Sequence, residues 1–284
     1  MKIFNFYVGQ EIHLGAFDNG RSIDVTAIGD GCPGCIVSLM KGGAAALQTI
    51  AAHFAAAPAL DPAAIQYAPA VPSPEKILCV GLNYADHAAE AHLELPETPT
   101  LFSKFNNALN AHQCPIRLPK GARMYDYEAE LVILIGRETY CVSKEAAKDA
   151  IFGYTTGNDF SARELQGRTT QWLLGKTPDT FAPCGPYIVP AGELDTANLS
   201  VQSYVNGELR QDGNTKNLIF DCASIVSYAS QFMTLRPGDI IFTGTPQGVI
   251  LGYPKAERVW LKAGDEVKIR IEGIGELVNT LVDA

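Results

Sequence analysis

The sequence comprises 284 residues, 47% of them hydrophobic, which suits one sizeable domain or a main domain with a small appendage. The formal net charge of −9 and the lack of any Lys- or Arg-rich run argue against nucleic acid or an anionic membrane surface as a partner. The chain has neither a typical signal peptide nor a run near the ~18 apolar residues of a membrane span, so we expect a cytoplasmic protein with reduced cysteines.

The N-terminal part has the pattern of a small α/β domain. Three short strands are predicted, over Lys2 to Val8, Glu11 to Phe17 and Ser22 to Ile28. An Ala-rich stretch over residues 43–57 predicts a helix after them. We therefore expect these elements to form a separate N-terminal domain over residues 1–70.

A Pro- and Ala-rich segment over residues 68–74 follows and predicts a linker. Directly after it, the apolar run from Lys76 to Gly81 predicts a buried strand. We place the domain boundary near Val71, so that residues 71–284 form the main domain.

Two short motifs in the N-terminal part imitate known binding sites. Gly29 to Gly34 match the G-x-G-x-x-G pattern of dinucleotide-binding proteins, but the strand before them carries polar residues, and no second strand ending in an acidic residue lies ~20 residues further on. Cys32 and Cys35 have the spacing of a zinc half-site, but no second pair accompanies them. The segment is therefore predicted to be a glycine-rich turn.

The second half of the chain is rich in strand and turn signals. Asn206-Gly207 predicts a tight β-hairpin, and Pro237-Gly238-Asp239 and Ala263-Gly264-Asp265 predict turns before apolar runs. One amphipathic helix is predicted by apolar residues at three-to-four spacing, namely Leu218, Cys222, Ile225, Ala229 and Met233. The fold class predicted is α+β, mainly β.

Three acidic residues stand where buried strands are predicted. Glu128 and Glu130 alternate at the start of the run that ends at Ile135, so their carboxylates lie on one face, about 6.6 Å apart along the strand. Asp159 follows another strand-like run. Three oxygen donors predict a site for a hard divalent cation. The alternative is a half-exposed strand whose carboxylates face solvent.

His87 and Glu90 lie three residues apart in a predicted short helix and therefore share a face. A carboxylate beside an imidazole raises its basicity, as a water-activating base requires. The alternative is an exposed pair on a surface helix with no chemical role.

Other polar side chains cluster after the third acid. Ser161 and Glu164 have the spacing of a capping box that begins a helix, from which Arg163 and Gln166 project on one face. Lys176 lies in a Gly- and Pro-rich stretch that predicts a loop suited to presenting an ammonium group to an anion. Each could also form an ordinary surface ion pair.

Together, these segments resemble the fumarylacetoacetate hydrolase family, over Lys76 to about Val282. The matching stretches occur in the family's order: Val80 to Tyr84 with His87 and Glu90, Tyr127 to Leu131, Gly153 to Asp159 with Ala162, Arg163 and Gln166, Gly175 to Thr180, and Thr243 to Pro246. Five motifs in register are far more specific than any one of them.

The resemblance implies a mixed β-sandwich roll with a small N-terminal α/β domain, assembled as a homodimer. It implies that Glu128, Glu130 and Asp159 bind Mg²⁺ or Mn²⁺, with Ca²⁺ as a further candidate. It also implies that His87 and Glu90 lie on a lid over a small anionic 2-oxo acid. Substrate contacts are expected from Lys176, Arg163, Gln166 and Thr245.

For such a site we expect hydrolysis of a C–C bond in an acylpyruvate-type 2,4-dioxo acid. His87 and Glu90 would activate water, Lys176 would offset negative charge, and the metal would stabilise the pyruvate enolate. The alternatives are a decarboxylase or isomerase of an oxaloacetate-type 2-oxo acid on the same metal site, and a protein that binds metal and oxo acid without turnover.

One departure from the family pattern concerns the stretch after Gly248-Val249. The family commonly continues with glycine, whereas this chain has Ile250. A β-branched side chain adds bulk and loses backbone freedom, and it predicts a narrower or shifted substrate pocket.

Overall fold

The computed structural model describes residues 1–29, 31–85 and 96–284. Among these residues, no helix combines the length and the apolar character needed to cross a membrane. The strands in chain order are β1 (Lys2–Val8), β2 (Glu11–Asp18), β3 (Arg21–Asp24), β4 (Gln66–Tyr67), β5 (Ile77–Gly81), β6 (Thr100–Lys104), β7 (Leu109–Asn110), β8 (Ile116–Leu118), β9 (Tyr125–Asp126), β10 (Ala129–Ile135), β11 (Ile151–Asn158), β12 (Ser161–Ala162), β13 (Ala182–Pro190), β14 (Ser200–Val205), β15 (Glu208–Asn214), β16 (Ile240–Phe242), β17 (Glu266–Ile271) and β18 (Gly275–Asp283).

Helices are fewer than strands in the described residues. The α-helices are α1 (Ile36–Phe54), α2 (Lys144–Ala147), α3 (Arg163–Gln166), α4 (Leu173–Lys176) and α5 (Cys222–Ser230). Single 3₁₀ turns occupy Thr26–Ile28, Pro62–Ala64, Asn106–Ala108, Lys148–Ala150, Ala191–Glu193, Thr215–Asn217 and Ile250–Gly252.

Two sheets form the body of the protein. The larger has the strand order β3-β2-β1-β13-β11-β10-β16-β5-β6, with β4 beside β1 and β7 beside β13. The smaller has the order β15-β14-β17-β18-β8, and β9 pairs with β12 apart from both. Most neighbours are antiparallel, but β5 and β16 run parallel. The predicted class, α+β and mainly β, is confirmed.

Strand β10 is buried on both faces, which explains its unbroken apolar run. Leu131 and Ile133 pack in a hydrophobic cluster shared with the smaller sheet. Val132 and Leu134 pack in a second cluster, which includes Leu39 of α1. Because alternate side chains enter different cores, both faces of this strand are fixed by packing.

The N-terminal strands extend the larger sheet. Ile3 of β1 pairs with Ile188 of β13, and residues on both sides of Val71 share one hydrophobic cluster. Ala68, Ala70 and Val71 of the Ala- and Pro-rich segment are buried, and the Asn5 side chain donates a hydrogen bond to the carbonyl of Ala70 at 2.8 Å. The domain boundary near Val71 stays a prediction.

Two N-terminal elements differ from their predicted bounds. Strand β3 is shorter than predicted because the chain turns at Thr26, whose hydroxyl accepts a hydrogen bond from the N–H of Leu14 at 2.8 Å. Helix α1 begins at Ile36, seven residues before the predicted start, and is interrupted at Gly43, where φ is 54°. Glycine adopts this φ without the strain that a side chain would add.

The predicted hairpin is confirmed between β14 and β15, where Asn206 and Gly207 have φ of 51° and 85°. Both values lie in the left-handed region that a type I′ turn requires. Helix α5 likewise lies within the predicted amphipathic segment.

The neighbouring strands β11, β10, β16 and β5 lie within the larger sheet, and one end of each lies on the same side of it. Ala129 at the start of β10 pairs with Asn158 at the end of β11, and Val132 pairs with Phe242 at the end of β16. Phe242 in turn pairs with Cys79 in the parallel strand β5. Segments that leave these strands therefore come close together, and they carry the charged residues predicted to be functional.

Candidate active site

Glu128, Glu130 and Asp159 come together where the start of β10 lies beside the end of β11. Glu128 immediately precedes β10, Glu130 is the second residue of that strand, and Asp159 follows β11. Candidate ligand atoms from the three carboxylates all lie within 4.8 Å of one another, and all three residues are buried. The alternative in which the two glutamates face solvent is wrong.

Buried cations neutralise one side of this acidic centre. The Lys176 ammonium donates to Glu128 Oε2 at 2.6 Å and to Asp159 Oδ2 at 2.7 Å. Arg163 Nη1 lies 2.7 Å from Glu128 Oε1. Burial by itself would raise the pKa of Glu128, but Lys176 and Arg163 lower it to about 2. Lys176 ends the one-turn helix α4, so the loop predicted there is wrong.

Lys104 is a second ammonium on Asp159 that the sequence did not reveal. The side chain is buried, and Nζ donates to Asp159 Oδ1 and to the carbonyls of Phe160 and Phe181, at 3.1 and 2.7 Å. We call Lys104, Arg163 and Lys176 the cationic side of the centre. Lys104 is the last residue of strand β6. Nothing in the sequence distinguishes it from an ordinary lysine at the end of a strand.

Glu130 occupies a different environment, which we call the Glu130 side. Its Oε2 accepts a hydrogen bond from the N–H of Gly244 at 2.7 Å. Burial, and then the negative charges of Asp159 and Glu128, raise the pKa of Glu130 well above its ordinary value. Gly244 has φ of 99°, and an added Cβ would lie 3.0 Å from the carbonyl oxygen of Val80, so this close approach requires glycine.

The charge balance favours a bound cation. The buried charged groups in contact at the centre are four carboxylates, Asp126, Glu128, Glu130 and Asp159, and three cations, Lys104, Arg163 and Lys176. With all four carboxylates ionised, one negative charge is uncompensated among the described residues, and an anionic ligand would add to it. Clustered carboxylate oxygens are the donors that hard divalent cations prefer, so this set fits such an ion.

Asp126 positions Arg163 and was also missed from the sequence. Its Oδ2 accepts from Arg163 Nε at 2.8 Å and from the N–H of Leu251 at 3.0 Å, while Oδ1 accepts from the N–H of Ile250 at 2.8 Å. Arg163 Nη1 also donates to Gln166 Oε1 at 2.9 Å, so these two side chains share a face as predicted. Arg163 Nη2 is buried without a hydrogen-bond partner in the described part of the chain.

The capping box predicted at the start of α3 is wrong. Ser161 Oγ donates to the carbonyl of Asp159 at 3.0 Å, whereas the Glu164 carboxylate accepts from the N–H groups of Arg123 and Met124. Both side chains therefore brace the neighbouring backbone instead of capping the helix.

The Thr245 side chain is held in place by two hydrogen bonds. Its hydroxyl donates to the carbonyl of Ala129 at 3.0 Å and accepts from Gln211 Nε2 at 2.9 Å. Gln211 lies on β15, far along the chain, and sequence spacing gave no signal for it.

A cavity of about 390 Å³ opens onto these groups. Its lining residues are Val80, Gly81, Leu82, Phe102, Glu128, Glu130, Asp159, Arg163, Gln166, Trp172, Lys176, Thr245, Val249, Leu251, Gly252 and Arg258. Every predicted site residue that the structure describes therefore borders one cavity. His87 and Glu90 lie outside the described residues.

The Ile250 side chain does not narrow this cavity. It is buried in the hydrophobic cluster between the sheets, and Leu251 lines the cavity instead. Because residues Ile250–Gly252 form a helical turn, the Ile250 side chain, which was predicted to narrow the pocket, packs in the hydrophobic core instead.

Comparison with known proteins places this site in a family. The family described as fumarylacetoacetate (FAA) hydrolase C-terminal matches residues 76–282. The chain is 47% identical over 220 residues to the fumarylacetoacetate hydrolase domain-containing protein 2 homolog of Dictyostelium discoideum, covering 73% of this chain and 72% of that protein. It is 38% identical over 269 residues to the mitochondrial oxaloacetate tautomerase of Xenopus laevis, covering 93% of this chain and 84% of that one.

A solved structure extends the similarity to the whole fold. The crystal structure of maleylpyruvate hydrolase from Sphingobium sp. SYK-6, in complex with manganese(II) ion and pyruvate, aligns with a TM-score of 0.84 and 31% sequence identity. The alignment covers 100% of both chains. The predicted family and fold are confirmed.

Proposed function

This chain belongs to the fumarylacetoacetate hydrolase family of enzymes, and we propose that it acts on a small 2-oxo acid in a reaction that passes through the enol form of that acid. The proposal is carried by one observation, the convergence of Glu128, Glu130 and Asp159 beside buried cations at the inner end of a cavity. We propose that these carboxylates hold Mg²⁺ or Mn²⁺. A bound divalent ion would supply Lewis-acid stabilisation of negative charge on the oxygens of the acid.

The protein's own residues would hold and orient the substrate. Arg163, Gln166 and Thr245 line the cavity, and Arg163 Nη2 is a buried donor without a hydrogen-bond partner in the described residues. A buried donor without a partner is costly, so a side-chain shift that pairs Nη2 with an acceptor on the ligand would be favourable. Lys176 would hold Glu128 and Asp159 in place and offset the negative charge that an anionic substrate brings.

Two reactions share the enol form. Tautomerisation of an oxaloacetate-type acid is supported by the Xenopus laevis relative, which is similar along nearly the whole chain. Hydrolysis of an acylpyruvate is supported by the solved hydrolase and by the His87 and Glu90 pair in the sequence. We favour tautomerisation, because it needs no activated water and because the relative that is similar over 93% of this chain is described as a tautomerase. Decarboxylation and binding without turnover are lesser candidates.

The test separates these reactions on one protein. Chelator-treated protein is assayed with and without Mn²⁺ on oxaloacetate, for decay of the enol absorbance and release of CO₂, and on acetylpyruvate, for release of pyruvate. We expect Mn²⁺-dependent enol decay that survives in His87→Ala. Acetylpyruvate turnover that is lost in His87→Ala would identify the hydrolase instead. Equal activity without metal would contradict the role of the three carboxylates.

Other expectations stay predictions. The Xenopus laevis relative is described as mitochondrial, and the cytoplasmic location of this chain stays a prediction. The homodimer, the choice of ion among Mg²⁺, Mn²⁺ and Ca²⁺, and the roles of individual side chains are likewise predictions.

A further inference from the structure

Arg258 is a cavity-lining cation whose charge the protein leaves uncompensated. Arg163 and Lys176 on the same cavity both form ion pairs with Glu128, at 2.7 and 2.6 Å. By contrast, no carboxylate in residues 1–29, 31–85 and 96–284 lies within 4.0 Å of a nitrogen of Arg258. A cation that faces a ligand cavity without a protein counter-charge is available to an anion.

The guanidinium of Arg258 is held from one side. Its Nε donates to the carbonyl of Tyr253 at 2.8 Å, and the side chain is half-buried. In the described part of the chain, neither terminal nitrogen has a hydrogen bond to protein. The two terminal nitrogens form the planar fork that binds a carboxylate through paired hydrogen bonds.

The backbone that presents Arg258 is tied to the acidic centre. Asp126, which binds Arg163, also accepts the N–H groups of Ile250 and Leu251. The hydroxyl of Tyr127 donates to the carbonyl of Gly248 at 2.9 Å. These bonds hold residues 248–251, which begin the segment that leads to Tyr253 and Arg258, against residues beside the acidic centre.

The charged groups that line the cavity differ in burial and sign. The three carboxylates are buried, whereas the cationic Arg258 is half-buried. Apolar side chains, among them Phe102, Trp172 and Leu251, line the same cavity. A ligand that suits this arrangement has a 2-oxo acid at one end, a short carbon chain, and a second anion at the other.

We propose that Arg258 binds the second carboxylate of the substrate, which is therefore a dicarboxylic 2-oxo acid. The proposal rests on the proposed function, because the acidic centre must first hold the oxo-acid end. It assigns selectivity for the far end of the substrate to a residue outside the metal ligands and their ion-pair partners.

Binding of matched probes to the Mn²⁺-loaded protein tests this assignment by calorimetry. 2-Oxoglutarate is compared with 2-oxovalerate, and 2-oxoadipate with 2-oxohexanoate, because each pair differs only in the distal carboxylate. We expect at least one diacid to bind about tenfold more tightly than its monoacid, as charge-assisted hydrogen bonds allow. Arg258→Gln should lower that preference to below about threefold and leave monoacid affinity unchanged.

Two further variants separate charge from structure. Arg258→Lys keeps the charge without the fork and should retain part of the preference. Lys255→Gln changes an exposed lysine of the same segment that does not line the cavity, and it should behave like the wild type.

The outcomes distinguish the two proposals. Equal affinity for diacid and monoacid in the wild type, or a preference that persists in Arg258→Gln, would overturn the role of Arg258 and leave the proposed function standing. Equal loss of affinity for both probes in Arg258→Gln would mean a general structural role and would also overturn it. If none of the four probes binds in the presence of Mn²⁺, both proposals fail.

Discussion

The two sides of the acidic centre are stabilised in opposite ways. On the cationic side, Glu128 and Asp159 have buried ammonium and guanidinium partners, and the pKa of Glu128 falls to about 2. On the Glu130 side, the described residues provide one backbone N–H, and burial together with Asp159 and Glu128 raises the pKa of Glu130. On the cationic side the protein itself supplies the counter-charges of the carboxylates. On the Glu130 side a bound cation would supply the counter-charge.

The largest expected effect comes from breaking the cationic side. Lys176→Met should lower the free energy of unfolding of the metal-free protein by about 3 to 5 kcal/mol, because two buried carboxylates each lose one of their two cationic partners. Urea denaturation at pH 7 measures the change. Lys255→Met, at an exposed position, should change stability by less than about 0.5 kcal/mol. A loss below about 1 kcal/mol in Lys176→Met would show that the cationic side contributes little to stability.

A smaller effect should distinguish the two glutamates. Glu128→Gln removes charge-assisted bonds to Lys176 and Arg163 and should cost about 1.5 to 3 kcal/mol in the metal-free protein. Glu130→Gln keeps the shape and replaces a carboxyl group whose ionisation is unfavourable in the folded protein, so it should leave stability unchanged or increase it. Both are measured by the same denaturation experiment. Similar losses in the two variants would contradict the proposed asymmetry.

The wild type and Glu130→Gln should also differ in how Mn²⁺ changes their melting temperatures. The ion should raise the melting temperature of the wild type and should fail to do so in Glu130→Gln, which retains only two of the three carboxylates. This readout requires no substrate, so it tests the ion site independently of the reaction.

The smallest effect concerns pH. Because the folded-state pKa of Glu130 is raised, the folded protein holds a proton that the unfolded chain releases between pH 4.5 and that raised pKa. Metal-free wild type should therefore gain stability relative to Glu130→Gln as pH falls through this window, by about 1 kcal/mol per pH unit. Denaturation midpoints of both proteins at several pH values give the difference. A difference that stays constant with pH would mean that Glu130 ionises normally.

Bound Mn²⁺ should reverse this trend, because carboxylate ligands bind the ion in their ionised form. Saturated wild type should lose stability as pH falls, and the sign of the pH dependence thus reports whether the ion is present.

Local sequence patterns predicted the elements that depend on local chemistry. Asn206-Gly207 required a left-handed turn, and the alternation of Glu128 and Glu130 in an apolar run identified the acidic centre. Both follow from backbone geometry within a few residues, and both are confirmed in the structure. The family resemblance then united residues that lie far apart in the chain.

The sequence did not predict partners that arrive from distant strands. Lys104 reaches Asp159 across 55 residues, and Asp126 binds Ile250 across 124, and neither pair has a characteristic spacing. Ser161 and Glu164 matched a capping box, but the N–H groups of the 123–124 backbone compete for the Glu164 carboxylate. Tertiary contacts decided these cases, which local patterns do not encode.

Asp126 recognises the main chain of Ile250 and Leu251 through their N–H groups, and it makes no use of their side chains. Every residue except proline offers that same N–H, so the attachment tolerates a change of amino acid at either position. Homologues could thus exchange side chains along this segment while the acidic centre stays intact. The same fold could in this way bind different ligands while the residues of the acidic centre stay unchanged.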